Sequence, residues 1–121
     1  MQPSLVSIVR YQEPFESVRK AIELCKGLEQ FRAGDRVFLK PNIVCWTRKT
    51  SFPKWGVITT SRVVEDVIVL LKDLGAREIL IGEGTVTHRP GDTETTAHAF
   101  ETLGYNTLAQ RYGVKALIEM H

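Results

Sequence analysis

Arg36-Val37-Phe38-Leu39-Lys40-Pro41-Asn42 decides the reading of this chain. Val37, Phe38 and Leu39 are an apolar run of strand character, and Pro41 ends it because proline has no N–H to give to a sheet. Gly34-Asp35 supplies the turn before it. A strand therefore spans Arg36 to Lys40 and stops on a cation, a rigid turn and a carboxamide. The next helix-start signal is Thr59-Thr60-Ser61, after a stretch from Ile43 that follows no period. A strand end close to a helix start is where open α/β sheets keep their ligands.

Working downstream, Thr60 or Ser61 caps a helix whose inward face is Val64, Val67, Ile68 and Leu71, with Leu74 following and Gly75 as its left-handed stop. Glu78 to Glu83 reads as a strand whose unbroken Ile79-Leu80-Ile81 run suits a sheet buried on both faces. It ends at a second junction, Gly82-Glu83-Gly84. Asp92 or Thr93 caps a further helix carrying Ala97, Phe100 and Leu103 to Gly104. A short helical turn over Thr107 to Tyr112 leads to Gly113 and a last strand, Val114 to Ile118.

Working upstream, the β-branched content of Ser4 to Arg10 predicts a buried strand. From Phe15, the positions Val18, Ile22, Cys25 and Leu28 recur at helical steps, predicting a helix that closes before Gly34. The order βαβαβαβ predicts an α/β fold, a Rossmann-like three-layer arrangement with a parallel sheet of about four strands in the order 2-1-3-4. No linker or repeat divides the chain, so residues 1–121 are expected to form a single domain.

Composition narrows the function classes. Sixteen basic and 14 acidic residues give a net charge of +2, too balanced for general nucleic-acid or membrane-surface binding. No apolar run approaches the roughly 20 residues needed to span a bilayer. The first residues lack the basic start and apolar core of a secretory signal, so a cytoplasmic home is the expectation. The two cysteines, Cys25 and Cys45, fit no zinc or ferredoxin spacing. Cys25 suits the apolar face of a helix, and Cys45, beside Trp46, is the more reactive candidate.

The candidate chemistry gathers at the two junctions. Thr59, Thr60 and Ser61 offer hydroxyls and free amides that suit a phosphate or carboxylate, though ordinary capping uses the same residues. Lys40 at the neighbouring strand end would face the same crevice, with Asn42 beside it. Gly82, Gly84 and Thr85 resemble a glycine-rich phosphate turn but lack the third glycine of a dinucleotide fingerprint. Glu83 is the candidate acid/base, with Lys40 as a second catalytic candidate; a structural Glu83 to Lys40 pair is the plain alternative. His88, Asp92 and His98 match no metal-ligand spacing, so no metal site is expected. Trp46, Phe52 and Trp55 among Arg48, Lys49 and Lys54 suit a lid, an arm that packs on another subunit, or, less well, a single-stranded nucleic-acid platform.

The ordered set Val37-Phe38-Leu39-Lys40-Pro41-Asn42, Gly56-Val57-Ile58-Thr59-Thr60-Ser61, Val63-Val64-Glu65 and Leu80-Ile81-Gly82-Glu83-Gly84 resembles domain-of-unknown-function family 362. Phe100, Leu103-Gly104-Tyr105 and Tyr112-Gly113-Val114 fit as well, so the resemblance runs from about Asp35 onward. It implies a ligand crevice at Lys40, Pro41, Asn42, Thr59, Thr60, Ser61, Gly82, Glu83 and Gly84. Members are usually longer, so the chain resembles their amino-terminal part. Many carry a ferredoxin-like segment binding four-iron clusters, which implies a redox setting. That segment is missing here, and two cysteines cannot supply four thiolates, so an iron-sulfur cluster would belong to a partner chain. Arg62 stands where the family commonly has proline, adding a cation to the helix start. The expected ligand is a small anion; the alternative is an assembly module that forms a homo-oligomer, or docks an iron-sulfur partner, through residues 43–59.

Overall fold

In the computed structural model, which describes residues 3–43, 46–47, 58–83 and 94–117, three parallel strands form the sheet. They are β1 (Arg36–Leu39), β2 (Glu78–Gly82) and β3 (Lys115–Leu117), in the order β1-β2-β3. Val37 pairs with Ile79, Leu39 with Ile81, and Ile81 with Ala116. Because side chains alternate along a strand, these five share one face.

That face is covered by α2 (Ser61–Asp73), α3 (Glu94–Thr102) and α4 (Tyr105–Tyr112). Val64, Ile68 and Leu71 from α2 meet Ile79 and Ile81, with Phe100, Leu103, Tyr105 and Leu108 completing the core. The Phe100 and Tyr105 rings meet edge to face, with centroids 5.6 Å apart. α1 (Glu16–Leu24) packs against α2, where Arg19 pairs with Asp73 at 3.3 Å.

Thr60 caps α2 as its sequence predicts: its hydroxyl oxygen accepts from the Val63 N–H at 3.2 Å. The helix closes through Gly75 at φ +91°, where an added Cβ would sit 3.1 Å from the Ala33 side chain. The turn geometry and the close approach both demand glycine there.

The parallel α/β architecture is as expected, but the detailed arrangement differs. β1 and β2 pair directly, so the slot that the order 2-1-3-4 reserved for residues 4–10 does not exist. Those residues run without strand pairing, and Val6 and Ile8 are 84% and 94% exposed. Strand propensity reports how a side chain fits a half-buried pleat; it supplies no pairing partner. The four-strand sheet is thus three-stranded among the described residues.

Among the described residues, the three-layer arrangement is not found: the helices that build the core lie on one face of the sheet. Its second face presents Phe38 and Leu117, both exposed, and a row of charges in which Glu78 meets Arg36 at 2.6 Å and Lys115 at 3.0 Å. Lys115 leads and Arg36 follows in holding the Glu78 carboxyl below its ordinary range by hydrogen bonding. Such a row keeps a sheet face wet. Among the described residues, no helix is long and apolar enough to cross a membrane.

Candidate functional site at the carboxyl ends of the strands

The site begins with two strand ends held in register. Because Leu39 pairs with Ile81, the residues that leave β1 and β2 emerge side by side. Lys40 and Glu83 are the first to carry charge there, and Lys40 Nζ lies 3.2 Å from Glu83 Oε2. The pair is asymmetric: the Glu83 side chain is 7% exposed and that of Lys40 61%. Glu83 follows the buried Ile81 and Gly82, so its carboxylate is set into the sheet edge. Its Oε2 also accepts from the Ile43 N–H at 3.4 Å.

Pro41 is buried and Asn42 exposed, so the rigid turn directs the carboxamide outward. The backbone of Asn42 is clamped to Thr59 in both directions. Thr59 N–H donates to the Asn42 carbonyl at 2.9 Å, and Asn42 N–H donates to Thr59 Oγ1 at 2.9 Å. The Tyr105 hydroxyl then donates to the Thr59 carbonyl at 2.6 Å. Thr59 is thereby fixed from the β1 side and from α4, one residue before the α2 cap. Burial, reinforced by the negative charge of Glu83, pushes the Tyr105 pKa up, so the phenol stays a donor.

Ser61 opens α2 beside Gly104, where a Cβ on the glycine would lie 3.7 Å from Ser61 Oγ. Next to this helix start, Tyr11 and residues Thr60, Ser61, Arg62 and Val63 line a cavity of about 480 Å³. Arg62 is committed to Tyr11, its guanidinium carbon lying 5.2 Å from the ring centroid. The Tyr11 hydroxyl donates to buried Asp66 at 2.7 Å. Burial first, and that hydrogen bond second, raise the Tyr11 pKa.

Lys40, Asn42, Thr59, Thr60, Ser61, Gly82 and Glu83 therefore come together around two strand ends and one helix start. Gly84 and Thr85 lie outside the described residues, as do Cys45, Phe52, Trp55, His88 and Asp92. Tyr11, Asp66 and Tyr105 were not singled out by sequence. The one available signal was the apolar setting of Tyr105 after Leu103-Gly104, which predicts a buried ring and hence a hydroxyl in need of a partner.

Among the described residues, no group of three or more histidine, cysteine or acidic side chains is placed to hold a metal ion. A four-iron cluster does not fit the donor set, since Cys25 and Cys45 are the chain's only thiols. Cys25 donates at 3.5 Å to the Ile22 carbonyl of its own helix end, a local contact with no second thiol beside it among the described residues. Trp46, expected in a lid or an arm, packs against the core, and its indole N–H donates to Thr102 at 3.0 Å.

Fold and site together define an α/β protein whose parallel strands end in polar residues beside a capped helix. The chain belongs to the family described as Domain of unknown function (DUF362), whose model matches residues 37–121. Comparison with curated proteins gave no match, and comparison with solved structures gave none either.

Proposed function

We propose that this crevice binds a small anionic ligand, a phosphate or a carboxylate, at the carboxyl edge of the sheet. The observation that carries the reading is Lys40: its ammonium is held by Glu83 at 3.2 Å while most of the side chain remains open to solvent. A tethered cation loses less freedom on meeting an anion than a free lysine does. The Thr60 hydroxyl caps α2, and the remaining N–H groups of that first turn add a favourable dipole for negative charge. Ser61 and the exposed Asn42 carboxamide orient the ligand, and Gly82 flanks it, with Gly84 and Thr85 following in sequence.

If the ligand reacts, Glu83 is the acid/base group and Lys40 the group that steadies developing negative charge. The setting is a cytoplasmic one, with any iron-sulfur cluster on a partner chain. Assembly through residues 43–59, as a homo-oligomer or onto such a partner, draws no support from Trp46, which is engaged by its own chain.

A thermal-shift series with inorganic phosphate, phosphorylated metabolites and carboxylates tests the reading. It predicts stabilisation of the native chain that Lys40→Ala abolishes. Stabilisation that survives the substitution unchanged rules out this crevice as the site.

A further inference from the structure

We infer that the ligand of this crevice is an anion that also carries a hydroxyl or similar hydrogen-bond donor, the negative group meeting Lys40 and the donor being received by Glu83. This rests on the anion-binding reading above and narrows its substrate class.

The geometry of the pair carries the inference. Lys40 does not stand alone as an anion receptor, because a buried carboxylate lies 3.2 Å from its ammonium. A bare phosphate or carboxylate resting on Lys40 would sit within a few ångströms of Glu83 and bind more weakly for that repulsion. An anion with a donor on the adjacent carbon turns that repulsion into a charge-assisted hydrogen bond.

Glu83 has the capacity for it. Among the described residues, both contacts on the carboxylate, from Lys40 Nζ and from the Ile43 N–H, converge on Oε2. A carboxylate offers about four lone-pair positions over its two oxygens. The buried Tyr105 hydroxyl is committed to the Thr59 carbonyl. Glu83 is also positioned firmly: Gly82 before it is buried at the end of β2, and Ile43, whose N–H it accepts from, is fully buried. A fixed acceptor beside a tethered cation discriminates by what the ligand places against each. Loss of a hydrogen bond to a charged partner is worth about tenfold or more in affinity.

The test compares glycerol phosphate with n-propyl phosphate, two phosphate monoesters that differ in their hydroxyls, by calorimetric titration. The native chain should bind glycerol phosphate at least about tenfold more tightly. In Glu83→Gln the gap should narrow, because the amide is a weaker acceptor and no longer repels n-propyl phosphate. Glu83→Asp, which withdraws the carboxylate by one methylene, should lie between the two and serves if the glutamine variant does not fold. Equal affinities in the native chain, both lost in Lys40→Ala, overturn this inference and leave the anion site standing. Failure of both esters and of inorganic phosphate to bind, or binding indifferent to Lys40, removes the anion site and the inference with it.

Discussion

The Tyr105 hydroxyl donates a 2.6 Å hydrogen bond to the main-chain carbonyl of Thr59. A ring buried at the start of α4 therefore sets the position of the chain just before the cap of α2. Tyr105→Phe keeps the ring and removes only the donor, leaving a carbonyl unsatisfied in a partly buried place. The expected loss of stability is about 1–3 kcal/mol, read by urea denaturation. A loss below about 0.5 kcal/mol would mean that water replaces the hydroxyl and that the tie does not hold the loop.

The same hydroxyl predicts a response to alkaline pH. Burial chiefly, with the charge of Glu83, raises the Tyr105 pKa in the folded chain above the ordinary 10.0. The neutral phenol is thus favoured by folding. Its contribution is fully present below pH 10.0 and is lost as pH rises through the higher folded value. Tyr105→Phe should flatten the alkaline limb of the stability profile, measured as denaturation midpoint against pH; an unchanged limb contradicts the assignment.

Glu78 predicts the acid limb. Hydrogen bonds from Lys115 and then Arg36 lower its pKa in the folded state. Stability from this carboxylate is present above its unfolded pKa and is lost as pH falls through the depressed folded value. Glu78→Gln should make the midpoint less sensitive to acid than that of the native chain. A steeper acid limb in the variant contradicts the pairing.

Two isoleucines separate the observed sheet from one that includes residues 4–10. Ile68 lies fully buried in the core, and Ile68→Ala should cost about 2–5 kcal/mol. Ile8 is almost fully exposed, and Ile8→Ser should stay within about 0.5 kcal/mol of the native chain. A large loss at Ile8, measured in the same denaturation series, would return that segment to the core.

These contrasts also show what could be read from sequence. β1, α2 and β2 were legible because each has an internal signal: Pro41 ends one element, the Val64, Ile68 and Leu71 spacing marks the next, and Gly75 closes it. The Lys40 and Glu83 pair was legible for the same reason, since both are the first charges after adjoining strands. Residues 4–10 misled because Val6, Ile8 and Val9 carry β propensity while pairing is decided elsewhere, by the direct register of β1 on β2. Asp66 falls among apolar α2 positions yet is buried, and the partner that satisfies it, Tyr11, lies 55 residues away in sequence. Long-range hydrogen bonds of this kind leave no local pattern.

Inorganic phosphate titrated calorimetrically into the native chain and into Lys40→Ala tests the central claim most directly. The account predicts binding to the native chain and a loss of about tenfold or more in the variant, with both chains folded to the same extent. Equal phosphate affinity in the two chains would contradict it.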